Sequence, residues 1–277
     1  MTPDEYCQQK AAASGSSFYY SFLFLPAERR RAITALYAFC REVDDVVDEC
    51  SDAQVAHAKL GWWRAEIAGL YAGSPQHPVT KALSPFTGKY QITAERLNEI
   101  ITGMGMDLTQ TRYLDFAGLE HYCYHVAGAV GLLAAGIFGY TNPRTLDYAK
   151  NLGTAFQLTN IIRDVGEDAR KNRVYLPMED LQRFEVPASD ILQARDSDSF
   201  RKLMEFQAER ARSHYEDAFR ALPAVDRKTQ RAGLIMAAIY RALLDEIERD
   251  GFNVLAQRTS LTPLRKFWIA WRTWITA

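Results

Sequence analysis

The sequence contains little cysteine, and its cysteines are not spaced for a metal site or a disulfide framework. Four cysteines occur among 277 residues, with no CxxC pair and no accompanying histidine cluster. This spacing argues against a structural zinc site. We therefore expect free thiols and a reducing, cytoplasmic setting.

Long hydrophobic runs are also missing. The N-terminus carries no basic leader, and the apolar run "FYYSFLFLP" is too short to span a bilayer and stops at Pro26. No later window reaches the roughly 18 consecutive apolar residues that a membrane span needs. We expect neither a signal peptide nor a transmembrane helix.

The chain lacks an excess of charge and has no glycine loop typical of nucleotide binding. Its formal net charge is −1, so no general attraction to nucleic acid is expected. No convincing GxGxxG or GxxxxGK[ST] pattern occurs. The missing dinucleotide turn weakly disfavours NADPH as a cofactor but does not exclude it.

Helical periodicity is present over most of the length, and strand-like alternation is scarce. Helical segments are predicted at about 26–50, 53–72, 93–109, 115–138, 143–170, 200–220 and 225–250, with a short one at the C-terminus. Proline and glycine mark the breaks, as in "AGSPQHP" and "GYTNP". No linker divides the chain. The pattern predicts an all-α bundle of roughly eight helices, forming a single domain over residues 1–277.

The first long helix contains the acidic stretch "YAFCREVDDVVD". At 3.6 residues per turn, four of its side chains fall on one narrow stripe: Tyr37, Arg41, Asp44 and Asp48. Asp45 turns away toward Glu42 and Glu49, as an ordinary surface charge would. Taken alone, the stripe fits a solvated helix face as well as a binding site.

A second helix, "GTAFQLTNIIRDVGED", repeats the pattern in more apolar surroundings. Its polar stripe contains Gly153, Gln157, Asn160, Asp164 and Asp168. Buried carboxylates are costly unless they are paired or hydrogen bonded, so a narrow stripe edged with aliphatic residues indicates a site. Gly153 would leave space for a ligand. Arg163 and Glu167 fall on another face and could pair with each other.

Two helices with aspartates at i and i+4 suggest facing carboxylate clusters. Such oxygen ligands suit Mg²⁺, which binds one or two carboxylates together with substrate phosphates. Arg41 suits a site for a metal–diphosphate complex, because arginine grips phosphate oxygens. The following "ARKNRVYLP" adds Arg170, Lys171 and Arg173, which could equally form a solvated helix end.

The two stretches "YAFCREVDDVVD" and "QLTNIIRDVGEDARKNRVYLP" resemble the signature motifs of the squalene/phytoene synthase family of head-to-head prenyltransferases. Both occur in order and about 120 residues apart. The resemblance runs from "SSFYYSFLFLP" through "YCYHVAGAVG" to "YRALLDEIERDGFNVL". Among subfamilies, the chain looks similar to the bacterial presqualene diphosphate synthases of hopanoid biosynthesis.

This resemblance implies an all-α isoprenoid-synthase bundle around a central apolar cavity. It implies dependence on Mg²⁺, with Mn²⁺ as a substitute, and two farnesyl diphosphate substrates. The implied metal-site residues are Asp44, Asp48, Asn160, Asp164 and Asp168. The implied catalytic residues are Tyr37, Arg41, Tyr122 and Tyr175. The implied substrate-binding residues are Phe18, Phe22, Arg41, Val126, Gly131, Gln157, Asn160, Arg163, Arg173 and Tyr240. For Arg163 this role conflicts with the helical wheel, although a long side chain could reach round.

The implied chemistry requires a long, dry cavity, because water would quench an allylic cation. The small residues of "VAGAVGLLAAGIFG" fit such a wall, and they fit close helix packing equally well. The proton lost in forming the cyclopropane could go to a tyrosine hydroxyl or to the released diphosphate. Members making squalene, dehydrosqualene or phytoene are the alternatives, with a non-catalytic relative as a remote one.

Two other features have competing interpretations. His121 and His125 lie at i,i+4, but without an HExxH or Glu-x-x-His pattern ordinary packing is favoured over a metal site. In "LRKFWIAWRTWITA", Phe267, Trp271 and Trp274 recur at helical spacing beside Arg265, Lys266 and Arg272. This segment could pack on the core or contact the inner face of a membrane. The sequence does not indicate an oligomeric state.

Overall fold

The structure is a computed structural model that describes residues 1–13, 18–50 and 52–277, apart from the side chain of Tyr19. Ser16 and Ser17, at the start of the matching "SSFYYSFLFLP", lie outside the described residues. The helices are α1 (Pro3–Ala13), α2 (Phe18–Phe22), α3 (Ala27–Glu49), α4 (Ala53–Tyr71), α5 (Pro78–Leu83), α6 (Ala94–Met106), α7 (Phe116–Cys123), α8 (Ala129–Phe138), α9 (Arg144–Arg170), α10 (Met178–Arg183), α11 (Ala188–Leu192), α12 (Asp198–Ala221), α13 (Arg231–Arg249) and α14 (Pro263–Thr276).

The all-α prediction is confirmed. The described residues form no strand, and their single isolated bridge joins Arg112 to Val174. The long predicted helices are all present, with ends shifted by a few residues. Periodicity missed the N-terminal helix α1, whose apolar residues are not gathered on one face, and the short helices α2, α5, α10 and α11, whose one or two turns show too few periodic positions.

Side-chain caps fix several helix starts where the sequence has polar residues before an apolar run. Asp52 accepts backbone hydrogen bonds at the start of α4, and Asp115 does so at the start of α7. Ser197 and Thr262 do the same for α12 and α14. Each cap satisfies N–H groups that the first helical turn leaves without a partner.

Helices α7 and α8 are joined by a π-helical turn, Tyr124–Gly128, so that the chain runs as one helix from Phe116 to Phe138. By length and composition alone this helix could cross a membrane, with a mean hydropathy of 1.3 in its most apolar window. Half of that window is buried inside the structure, as is usual for a core helix.

Two apolar clusters support the cavity described below. Helix α3 buries Leu36 and Phe39 in one cluster, against α4 and α6. Helix α9 buries Leu158 and Ile162 in the other, against α12 and α13. Val126, in the π-helical turn, packs against both clusters.

Two glycines, Gly153 in the α9 stripe and Gly131 in the apolar segment of α8, allow close packing of helices. A Cβ on Gly153 would lie 2.5 Å from the backbone oxygen of Ala127. A Cβ on Gly131 would likewise clash with the backbone oxygen of Ala149. Both glycines line the cavity, as the expectation of space at Gly153 requires, and their missing side chains also let α9 approach the π-helical turn and α8.

Candidate active site

A cavity of about 710 Å³ is lined by α3 and α9, with contributions from α2, α8 and α13. This volume is typical of a small-molecule site, for which about 300–1,000 Å³ is usual. Along α3 the lining changes from Ile33 to Asp48, and along α9 it changes from Leu152 to Asp168. The cavity is therefore apolar toward the N-terminal halves of both helices and polar toward their C-terminal halves.

The α3 stripe faces the cavity as the helical wheel predicts. Tyr37, Arg41, Asp44 and Asp48 all line it, whereas Asp45 does not. Arg41 donates hydrogen bonds to Asp44, at 2.5 Å, and to Asp45, at 2.7 Å. The interpretation of the stripe as an ordinary solvated face is therefore wrong.

Asp45 is not the simple surface charge that its position on the wheel indicates. Its side chain is only 19% exposed and forms ion pairs with Arg41 and with Lys10 of α1. Lys10 also pairs with Glu42. Asp45 therefore holds the Arg41 side chain from the side away from the cavity, and it links α3 to α1 through Lys10. The contact with α1 could not be predicted from the sequence, because it depends on how the helices pack.

The α9 stripe also lines the cavity, through Gln157, Asn160, Asp164 and Asp168. Arg163 lines it too, so the wheel prediction that turned Arg163 away is wrong. Its long side chain reaches round the helix and donates two hydrogen bonds to Asp164, at 2.5 and 2.7 Å. The suggested pair of Arg163 with Glu167 does not form.

Glu167 instead pairs with Arg258, from the segment that follows α13, at 3.4 Å. Arg258 also donates to Asp164 at 2.8 Å. That segment is held against α9, where the backbone N–H of Gly166 donates to the carbonyl of Val254 at 3.2 Å. Sequence reasoning missed Arg258, because nothing local in "NVLAQRTS" marks it as a site residue.

The two stripes meet at the polar end of the cavity. Lys171, just after α9, lies 3.0 Å from the carboxylate of Asp48 on α3, and Arg173 lies 3.6 Å from it. Arg170, Lys171 and Arg173 all line the cavity. Arg170 and Lys171 are also exposed, so the solvated helix end and the cavity lining are both present, and the prediction of facing carboxylate helices agrees with the structure.

Burial and repulsion between carboxylates raise the pKa of two stripe aspartates, Asp44 and Asp168. Burial, aided by the nearby carboxylates of Asp48 and Asp45, raises the pKa of Asp44 to about 6 despite Arg41. Burial and the charge of Asp164 raise the pKa of Asp168 to about 7. For Asp164 itself, burial favours a higher pKa, but hydrogen bonds from Arg163 and Arg258 lower it.

Tyr122 and Tyr175 line the cavity and share one acceptor that sequence reasoning missed, Asp107. Tyr122 donates its hydroxyl to Asp107 at 2.9 Å, and Tyr175 donates to the other carboxylate oxygen at 2.7 Å. Burial raises the pKa of all three groups. Asp107 directly follows α6 and belongs to no stripe, so periodicity could not single it out.

Aromatic side chains line the cavity beside the α3 stripe. Phe18 and Phe22 of α2 contact the ring of Tyr37, with centroid distances of 5.4 and 6.4 Å. Val126 also lines the cavity, as the family resemblance implies. Tyr240 does not, contrary to expectation. It is buried behind the wall, with its ring 4.8 Å from that of Phe156 and its hydroxyl near the guanidinium of Arg163.

The donor groups fit a divalent cation bound together with an anionic ligand. Asn160 has a buried side-chain oxygen without a hydrogen-bond partner in the described part of the chain. Within the same residues, no three His, Cys, Asp or Glu side chains converge closely enough to hold a metal by themselves. The four stripe carboxylates and the oxygen of Asn160 suit Mg²⁺ that takes its other ligands from water and phosphate.

The histidine pair gives no sign of a metal site. His121 and His125 lie in edge-to-face contact, with ring centroids 4.5 Å apart, and Nδ1 of His125 contacts the backbone oxygen of His121 at 3.0 Å. These contacts agree with ordinary packing. Both residues lie outside the cavity lining.

The chain is similar to known proteins over nearly its whole length. The family model described as squalene/phytoene synthase matches residues 11–265. The 15-cis-phytoene synthase of Synechocystis sp. is 35% identical over 285 residues, covering 99% of this chain and 85% of that protein. The 15-cis-phytoene synthase of Synechococcus elongatus is 36% identical, covering 95% and 89%.

Solved structures agree with this match. A dehydrosqualene synthase in complex with ligand superposes with a TM-score of 0.89 at 29% identity, covering 98% of this chain and 95% of that one. The squalene synthase HpnC from Alicyclobacillus acidocaldarius superposes with a TM-score of 0.82 at 27% identity, covering 91% and 95%. The all-α isoprenoid-synthase fold is thus confirmed, and the chain belongs to the squalene/phytoene synthase family.

Proposed function

We propose that this protein joins two molecules of farnesyl diphosphate head to head, forming presqualene diphosphate and releasing one diphosphate. The observation that carries the proposal is the meeting of the α3 and α9 carboxylate stripes at one end of a single apolar cavity. The diphosphate groups would lie at the polar end, and the prenyl chains would extend along the apolar part.

Cationic side chains suited to diphosphate line the polar end of this cavity. They are Arg41, Arg163, Arg170, Lys171, Arg173 and Arg258. Guanidinium groups bind phosphate oxygens in a two-pronged geometry, so Arg41 and Arg163 can exchange an aspartate partner for the substrate. Mg²⁺ held by Asp44, Asp48, Asn160, Asp164 and Asp168 would neutralise the leaving diphosphate.

The carbon–carbon bond-forming steps require exclusion of water from the cavity and aromatic rings that stabilise a carbocation. The C1–O bond of one farnesyl diphosphate breaks, the C2–C3 alkene of the second attacks that C1, and loss of a proton closes a cyclopropane. Phe18, Phe22 and Tyr37 offer ring faces to a cation without adding to it, each contributing up to about 2 kcal/mol when desolvated. The apolar lining excludes the water that would otherwise trap the cation.

The tyrosines at Asp107 are poor candidates for the proton acceptor. Tyr122 and Tyr175 already donate their hydroxyl protons to Asp107, and burial raises the pKa of both. A phenolate is therefore disfavoured at either position. A neutral tyrosine could accept the proton only by passing its own to Asp107, whereas the released diphosphate can accept it directly, so we assign diphosphate as the base and give the two tyrosines the role of a fixed wall beside the reacting carbons.

The second candidate function is phytoene synthesis from two twenty-carbon diphosphates. The names of the curated relatives, at 35% and 36% identity, favour it. The names of the solved dehydrosqualene and squalene synthases, at 29% and 27% identity, favour a thirty-carbon product. The motifs of α3 and α9 serve both reactions, so the chain length of the substrate must be measured.

The test is incubation with farnesyl or geranylgeranyl diphosphate, each with Mg²⁺ and with or without NADPH, followed by mass analysis of products. We expect presqualene diphosphate from farnesyl diphosphate, unchanged by NADPH, and loss of activity when a chelator removes the metal. If the protein turned over geranylgeranyl diphosphate but not farnesyl diphosphate, the proposal would be contradicted and the second candidate function would be assigned.

A further inference from the structure

Helix α14 carries a continuous apolar face that no other described part of the protein covers. Twelve large apolar side chains are exposed in the described residues, and five of them lie on this one helix, which sets it apart from the scattered others. They are Leu264 (83% exposed), Phe267 (49%), Trp268 (57%), Trp271 (40%) and Ile275 (57%). At 100° per residue these five positions share a sector about 100° wide.

The flank of α14 beside Phe267 packs on the protein, so the helix is anchored and does not merely project. Ala270 is fully buried, and the ring of Trp274 stacks on that of Phe24 with centroids 5.2 Å apart. The main neighbours of α14 are α13 and α2. Of the three aromatic residues predicted at helical spacing, Trp274 thus packs inward, whereas Phe267 and Trp271 face outward.

The charge on α14 has one sign. The helix contains Arg265, Lys266 and Arg272 and no acidic residue. Arg265 pairs with Glu246 of α13 at 2.6 Å, and Arg272 is exposed without an ion-pair partner in the described part of the chain. Both arginines lie on one flank of the apolar sector, where they would meet an anionic surface that touches that sector.

The inner edge of α14 packs against α2, although no residue of α14 lines the cavity. Lys266 lies over the ring of Tyr20, 5.9 Å from its centroid. Burial and the nearby charges of Arg163 and Arg258 lower the pKa of Lys266. Arg163 and Arg258 line the polar end of the cavity, so their effect on Lys266 indicates that α14 lies near that end, and α2 supplies Phe18 and Phe22 to the cavity wall.

We propose that α14 docks this protein onto the surface of an anionic phospholipid bilayer. The apolar sector would enter the boundary between headgroups and acyl chains, with Trp268 and Trp271 at the depth where tryptophan is favoured. Arg265 and Arg272 would contact anionic headgroups. Apolar burial and basic charge both strengthen the binding of such helices to a membrane surface.

Docking by α14 would bring the cavity close to the membrane. This consequence rests on the proposed function, since prenyl diphosphates are amphiphiles that partition into bilayers. A docked enzyme could take its substrate from the bilayer without releasing the apolar chain into water. The docking itself stands on the exposed face and its charge, and can be tested without any activity assay.

Flotation with vesicles tests the proposal directly. We expect the full chain to bind vesicles of phosphatidylcholine mixed with phosphatidylglycerol, with a blue shift of tryptophan emission, and to bind pure phosphatidylcholine more weakly. In the double variant Trp268→Glu/Trp271→Glu, affinity for the mixed vesicles should fall by about tenfold or more. Arg272→Glu should weaken binding to the mixed vesicles about fivefold and leave binding to neutral vesicles nearly unchanged.

A matched pair of leucines provides the control. Leu264→Glu on α14 and Leu114→Glu elsewhere alter side chains that are 83% and 80% exposed, so neither should unfold the protein. Only Leu264→Glu should reduce vesicle binding. Equal binding of wild type and the double tryptophan variant would overturn the proposal, as would absence of wild-type binding to both kinds of vesicle.

Two further outcomes separate this proposal from others. A dimer that the double tryptophan variant converts to monomer, with no vesicle binding, would assign the face to a second copy of the chain. With detergent-dispersed substrate, the double variant should release diphosphate at the wild-type rate. If neither protein releases diphosphate but the vesicle result holds, the proposed function fails and the docking surface stands.

Discussion

At the scale of single residues, neighbours in the sequence have different environments. Asp44 lines the cavity, whereas the adjacent Asp45 lies behind it, paired with Arg41 and Lys10. Helical geometry alone separates these two aspartates correctly. It fails for Arg163, because a wheel gives the direction of the Cα–Cβ bond and not the reach of a long side chain.

Asp107 offers a test at this scale, because it holds two cavity tyrosines at once. In Asp107→Asn, the amide has one acceptor oxygen, so one tyrosine hydroxyl faces an N–H group. We expect kcat to fall by about 10²-fold through misplacement of the rings, measured by steady-state diphosphate release. Tyr113→Phe is the control, since the buried hydroxyl of Tyr113 has no hydrogen-bond partner in the described structure. Unchanged kcat in Asp107→Asn would contradict the positioning role.

At the scale of elements, the sequence predicts the long helices and both stripes well. The 3.6-residue period and the Pro and Gly breaks depend only on local sequence, and they recover α3, α4, α6, α9 and α12 with small shifts at the ends. Contacts between elements are not encoded locally. The packing roles of Gly131 and Gly153 and the return of Arg258 to α9 become visible only when helices are placed together.

Gly153 tests the close approach of α9 to the π-helical turn. Gly153→Ala would place a methyl group 2.5 Å from the backbone oxygen of Ala127, so we expect a loss of about 1–3 kcal/mol in the free energy of unfolding. Gly61→Ala is the matched control, because a Cβ there meets nothing within 4 Å. That change should stabilise α4 by up to about 1 kcal/mol through helix propensity. Urea unfolding of both variants measures this, and equal stabilities would refute the contact.

Asp226 links the start of α9 to the turn before α13 and makes stability depend on pH. Its buried carboxylate accepts hydrogen bonds from Thr141, Asn142 and Thr145. Burial alone favours a higher pKa, but these bonds lower the pKa from 3.8 to about 2. The folded state thus favours the carboxylate, so its contribution of about 2 kcal/mol is complete above the unfolded pKa and disappears as pH falls from about 4 to about 2.

Asp226→Asn should therefore lower the free energy of unfolding by about 2 kcal/mol at neutral pH and flatten its fall below pH 4. Urea unfolding at several pH values measures both effects. Asp147→Asn, an exposed change in the first turn of α9, should alter stability by at most a few tenths of a kcal/mol. An unchanged acid profile in Asp226→Asn would show that other carboxylates control acid unfolding.

At the scale of the whole molecule, the site depends on polar residues of two helices that lie more than 100 residues apart in sequence. Lys171 and Arg173, just after α9, reach Asp48 on α3, and the carboxylates of both stripes line one cavity. Spacing predicts each stripe separately. The repeated pattern suggests that the stripes face each other, and the fold shows them lining one cavity, whereas the metal and the substrate remain proposals.

The most direct test of the account is diphosphate release from farnesyl diphosphate by three variants, Asp44→Asn, Asp168→Asn and Asp45→Asn. The first two remove a carboxylate from the α3 and the α9 stripe, and the third changes the neighbouring aspartate outside the cavity. We predict that each stripe variant loses about 10³-fold or more in rate, with wild-type helicity, while Asp45→Asn stays within about tenfold. Near-normal release by both stripe variants would contradict the two-cluster site.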